Sequence, residues 1–207
     1  MNTFKKYKKD ILVNELIPRK RIKKLIEEYE ANQSQLTILC TMNKLTDFER
    51  KYVLLVYNEM LGGSSNSLLF DTVREKNSYA YYINSNQKAY DNILMIYSGI
   101  ENGNSENVLK LIKKTLQDVS KGKFSNEVFN NSKETIIASI KASTESPSGI
   151  INTYYARMLV NSDDFEKRIE NIKKVTKEDI MAVSKKISMH TLYLLEGKKG
   201  EETDEKN

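Results

Sequence analysis

The sequence predicts an α+β fold, a two-layer sandwich of a largely antiparallel sheet packed against helices. Three observations predict it. The stretch "QSQLTILCTM" (33–42) places Leu36, Ile38, Cys40 and Met42 on one face, the period-two pattern of a half-buried strand. "SYAYYIN" and "NILMIYSGI" are rich in β-branched and aromatic residues and flank a polar loop, so they read as a hairpin. Elsewhere apolar residues recur at helical spacing, as at Val108, Leu111, Ile112, Leu116 and Val119.

In chain order, residues 1–32 read as a basic connector, irregular up to Pro18. "RKRIKKLIEEYEA" (19–31) carries Ile22, Leu25, Ile26 and Tyr29 at helical spacing and is expected to be a helix. Its charge order, basic first and acidic later, opposes the helix dipole. After the strand at 33–42, Thr46 and Glu49 form a capping box. Phe48, Val53, Leu54, Tyr57 and Met60 continue that helix to Gly62-Gly63. A second helix runs through Leu68, Leu69, Phe70 and Val73, and the hairpin follows.

Further helices are expected at "SENVLKLIKKTLQDVSKG", ending at Gly122, and over roughly 125–143. Pro147 suits the first position of another, and Thr176 with Asp179 caps a last one. "TLYLLEG" (191–197) reads as the closing strand. No repeat or linker divides 33–198, which is taken as one domain, and the charged tail 199–207 reads as disordered.

Composition narrows the chemistry. The 33 Lys+Arg exceed the 28 Asp+Glu only slightly and the signs are interspersed, which describes a solvated surface more than a nucleic-acid footprint. A nucleic-acid-binding module would rest on the basic N-terminus alone. A single cysteine excludes an internal disulfide framework. No apolar signal region follows the N-terminus, and no apolar run approaches the roughly 18 residues of a span, so a cytoplasmic chain is expected.

The single histidine, His190, cannot assemble a zinc site of two or three nitrogen or thiolate ligands. Cys40 and His190 could pair as nucleophile and base, but a cysteine on an apolar strand face reads first as core. No catalytic residue is therefore expected in this chain alone, and no metal.

The stretch "LGGSSNSLLFDTVREKNSYAYYINS" carries more information. Arg74 and Tyr81 stand seven residues apart across a helix-to-strand corner. By periodicity alone, Arg74 is a surface charge, Tyr79, Tyr81 and Ile83 share one strand face, and Ala80 and Tyr82 share the other. Arg and Tyr also suit a polarised peptide carbonyl: a guanidinium donates two fixed hydrogen bonds and a phenol one. Held by rigid elements, such donors stabilise an oxyanion.

The same stretch resembles the signature of the second half-domain of the insulinase/pitrilysin zinc peptidases, a "LGG…S.LF..VREK..LAY" run. The likeness extends from about Gln33 to Gly197, through "MIYSGIENGN" and "KVTKEDIMAVSKKISMHTLYLLEG". It is nearest to the companion proteins of an active family member in Gram-positive bacteria. The resemblance implies a C-terminal, non-zinc half-domain that closes a clamshell with a partner half around a peptide. Zinc is then expected only in that partner half or companion subunit, which bears the inverted His-x-x-Glu-His motif. Arg74 and Tyr81 fall on the family's Arg and Tyr and are the transition-state or substrate-binding candidates. The chain would be inactive alone, with a peptide as the substrate of the assembly. The short Gly62-Gly63 is read as a helix end and not as the expanded glycine loop of related processing subunits. A non-catalytic scaffold or partner-binding subunit is the competing reading.

Overall fold

Strand β2 (Gln33–Met42) runs through the middle of a five-stranded sheet of order β1-β5-β2-β4-β3. The computed structural model describes residues 19–198, so the connector up to Pro18 and the tail after Lys198 lie outside it. β2 pairs antiparallel with β4 (Ile93–Glu101) on one side and with β5 (Ile187–Lys198) on the other. β3 (Ala80–Lys88) joins β4 antiparallel at one edge, and β1 (Lys23–Glu30) joins β5 in parallel at the other.

The alternation read in β2 decides the inner face. Leu36 lies opposite Ser98 and Leu194, and Ile38 opposite Ile96 and Leu192, so apolar residues of adjacent strands share one side. Ile38, Cys40 and Met42 are fully buried there. The opposite face carries Thr37, Tyr97 and Tyr193 in register and is half-exposed or exposed. Burial of one side only is what the two-layer expectation required.

The covering layer begins with α1 (residues 47–63). Its start is the expected reciprocal cap: the Glu49 amide donates to Thr46 Oγ1 at 3.2 Å, and the Thr46 amide donates to Glu49 Oε2 at 2.7 Å. Val53, Leu54, Val56, Tyr57, Met60 and Leu61 are fully buried along it. The helix ends at Gly62-Gly63, and α2 (residues 68–75) leads into β3. The remaining helices are α3 (Ser105–Ser120), α4 (Asn126–Thr144), α5 (Pro147–Val160), α6 (Phe165–Lys174) and α7 (Lys177–Lys185). Pro147 opens α5 behind a Ser146 cap, and Thr176 with Asp179 closes a capping box on α7.

Two elements differ from the sequence reading. Residues 19–31 are not a helix, because β1 occupies the sheet edge and pairs along its whole length with β5, from Lys23–Thr191 to Glu30–Lys198. The charge order that disfavours a helix costs an edge strand little, since Glu28 meets Lys198 at 2.6 Å and Glu27 accepts from the Tyr193 hydroxyl at 3.0 Å. Helix α6 was not expected. Its "FEKRIENIKK" holds only three apolar residues, Phe165, Ile169 and Ile172, and the Asp164 cap defines its start.

Gly62 lets α1 touch β3: a Cβ there would lie 2.7 Å from the Ser85 backbone nitrogen. Because the obstacle is backbone, Gly62→Ala is expected to destabilise the fold by about 1–3 kcal/mol. Denaturant unfolding of the variant checks this, the midpoint falling while the slope stays unchanged.

Candidate functional site

The α2–β3 corner presents Arg74 and Tyr81. Leu69 and Val73 are fully buried and anchor the inner side of α2, so Arg74, the next residue, turns outward and is exposed. The end of α2 has a widened turn, in which the Lys76 amide reaches back five residues to the Asp71 carbonyl at 2.9 Å. Two more backbone bonds close the corner: Ser78 N–H to Arg74 O at 2.9 Å and Tyr79 N–H to Val73 O at 3.1 Å. Ser78 turns the chain with a left-handed φ of 53°.

The strand then departs from simple alternation. Ala80 pairs with Ile100 and Tyr82 with Gly99, leaving Tyr81 as the additional residue of a β-bulge. Ala80 and Ile83 are both buried against the helices, whereas Tyr81 is 57% and Tyr82 38% exposed. Both tyrosines therefore turn away from the core, which corrects the assignment of Tyr81 and Tyr82 to opposite faces and of Tyr81 to the side of Ile83. Gly99 makes room for the arrangement, since a Cβ there would sit 2.3 Å from the Tyr82 ring. Ser98 Oγ holds the strand by donating to the Tyr82 carbonyl at 2.8 Å. The glycine inside "MIYSGI" was the signal in the sequence for this bulge and close approach.

The Arg74 guanidinium lies 4.8 Å over the Phe70 ring, one turn back, which orients it by a cation–π contact. Asp71, a nearby carboxylate on α2, is taken by Lys76 at 2.6 Å. Among the described residues, neither the Arg74 guanidinium nor the Tyr81 hydroxyl is in a hydrogen bond or ion pair, with each other or with any other group. The corner thus offers two donor groups with open valences, on a helix end and a bulged strand whose backbones are bonded together.

The other candidate pair is not a site. Cys40 is fully buried, and burial pushes its thiol from 9.0 up to about 12. His190 is engaged elsewhere, accepting from Arg19 Nε at 3.0 Å and bonded to Thr191 Oγ1 at 2.8 Å. The raised folded-state pKa means that the neutral thiol favours the fold below pH 9, a contribution lost as pH rises towards 12. Cys40 is expected to react with a thiol reagent at pH 8 only as the chain unfolds; reaction at the rate of free cysteine in the native protein would contradict its burial. Among the described residues no three of His, Cys, Asp and Glu gather as a metal-holding group.

The fold defines the class: a two-layer α+β unit with one open sheet face, of the kind the sequence resemblance indicated. The family model for the peptidase M16 inactive domain matches residues 3–136, and the chain belongs to that family. It is 34% identical over 183 residues to "Probable inactive metalloprotease YmfF" of Bacillus subtilis, covering 86% of this chain and 42% of that protein. Its fold superposes on a conserved protein from Enterococcus faecalis with a TM-score of 0.85, at 24% identity over 93% of this chain and 46% of the other. The peptidase M16 inactive domain from Pseudomonas fluorescens gives 0.72 at 18% identity, covering 86% of this chain and 44% of that one. The chain therefore spans under half the length of these relatives.

Proposed function

We propose that this chain is the non-zinc C-terminal half of an M16-type metallopeptidase-like protein, contributing peptide binding and the Arg74–Tyr81 pair to a chamber closed by a partner half. The observation that carries the reading is the pair of unsatisfied donors at the corner. An arginine and a phenol that are in no hydrogen bond or ion pair among the described residues are available to an outside acceptor, and a peptide carbonyl is the acceptor such donors suit. The open sheet face beside them, with Tyr82 and Tyr97 partly exposed, adds aromatic surface for an extended peptide.

A partner half is supported by α5. Ile151, Tyr154, Tyr155, Met158 and Leu159 are each more than half exposed on one helix, with Met158 at 83%. An apolar helix left this open is expected to be covered in the intact protein, and the relatives are more than twice the length of the stretch they share with this chain. With one histidine in the chain, the residues here do not fit a zinc site, so any metal belongs to the companion half and no step of this reading runs through it.

In this reading Arg74 grips the backbone of the bound peptide and Tyr81 donates to a carbonyl oxygen as it gains charge. The test is an assembly of this chain with its companion half. Arg74→Ala is expected to weaken binding of an unstructured peptide at least about tenfold, by fluorescence anisotropy. Where the companion is hydrolytic, Tyr81→Phe keeps the ring and deletes one donor. Turnover is expected to fall by about 3 kcal/mol, roughly a hundredfold, with a smaller change in peptide affinity. Unaltered binding with Arg74→Ala and full turnover with Tyr81→Phe would leave the corner without a role and return the chain to the scaffold class.

A further inference from the structure

Among the described residues, strand β1 is the outer edge of the sheet. Among the described residues its backbone pairs only with β5, and its side chains are exposed except Tyr29, with Leu25 at 40% and Ile26 at 57%. Unpaired N–H and C=O groups along such an edge accept another strand, and native proteins usually blunt them with charge. Here the charges are ordered. "KKLIEE" (23–28) runs basic, basic, apolar, apolar, acidic, acidic, so the strand is complementary to itself read backwards.

That order selects one pairing. A second copy laid parallel and in register would set lysine against lysine and glutamate against glutamate, which is destabilising across strands. Laid antiparallel about a two-fold axis normal to the sheet, one residue stands opposite its own copy. With Leu25 on the axis, Lys23 of each copy faces Glu27 of the other; with Ile26 on the axis, Lys24 faces Glu28. Each arrangement puts one apolar residue on the axis and opposite charges two residues out, while between them Lys24 faces Ile26 in the first and Leu25 faces Glu27 in the second. Lys23 and Lys24 form no ion pair among the described residues, so both remain available, and Glu27 and Glu28 are bound only at exposed sites.

We propose that β1 is a homotypic docking edge, through which two copies of this chain join antiparallel and continue one sheet into the other. The proposal rests on the sign order and the open edge, and it is independent of any role for Arg74 and Tyr81.

The experiment measures the mass of the full chain by light scattering, at low and high salt. The expected result is a dimer that salt weakens. Lys23→Glu with Lys24→Glu, and separately Glu27→Lys with Glu28→Lys, should each raise the dimer dissociation constant at least about tenfold. An equimolar mixture of the two variants should restore a dimer, since each then presents the charge the other lacks. All four side chains are exposed, so circular dichroism should show both variants folded. A monomeric wild-type chain overturns the proposal and assigns the edge to another occupant, residues 1–18 of the same chain included. A dimer that survives both variants also overturns it, placing the contact elsewhere, as on α5. So does a mixture that stays monomeric.

Discussion

The rest of the structure hangs on α1, which lies buried over the inner face of the sheet and is tied to it at three points. Near its start, Glu49 takes Lys186 at 2.6 Å and so holds the entry of β5. At the next residue, the buried Arg50 donates to the Ala89 carbonyl and, at 2.8 Å, to Asn92 Oδ1, pinning the turn between β3 and β4. Near its end, Ser85 Oγ donates to Asn58 Oδ1 at 2.9 Å, and Gly62 lets the helix approach β3. Between these ties run Val53, Leu54, Val56, Tyr57 and Met60, in the same buried cluster as Leu36, Ile38 and Cys40. Each such side chain stabilises the fold by about 1.5–3 kcal/mol through burial, and the polar ties fix where that burial occurs.

From this anchoring follows the corner. With β3 held by α1 at Ser85 and by β4 along its length, an additional residue near the start of the strand cannot be absorbed by a register slip through the hairpin. It stays local, as the bulge at Tyr81, and both tyrosines leave the core together. The site candidates thus gain their exposure from the left-handed turn at Ser78, the Ser98 hydrogen bond and the missing side chain at Gly99 rather than from a pocket. This explains why the two donors sit open on a surface.

One-sided packing has a second consequence. Among the described residues, burial of the inner face leaves an open sheet face, a β1 edge paired only with β5 and an α5 whose apolar residues exceed what an isolated domain normally exposes. These surfaces differ in kind. Helix α5 carries one charged residue, Arg157, and lacks acids, so it selects partners by shape and apolar area. The β1 edge is nearly all charge at its ends and selects by sign. An assembly built from such units can use the two without competition.

Much of the fold was legible because it rests on local rules. The period-two face of Leu36, Ile38, Cys40 and Met42, the Thr46–Glu49 and Thr176–Asp179 caps, Pro147 at a helix start and Gly62-Gly63 at a helix end are each decided within a few residues. The positions of Arg74 and Tyr81 at a helix-to-strand corner were legible in the same way. Two outcomes were not local. Residues 23–30 carry a helical spacing of apolar residues, yet an unpaired β5 edge offered eight residues of ladder, and that long-range pairing outweighed a helix whose charges oppose its dipole. Tyr82 was expected on the face opposite Tyr81, but a bulge depends on what the neighbouring strand places across from it, here a glycine under the Tyr82 ring. Local patterning determined the elements and the residues at the corner; pairing between distant strands decided which element 23–30 became and which way the tyrosines face.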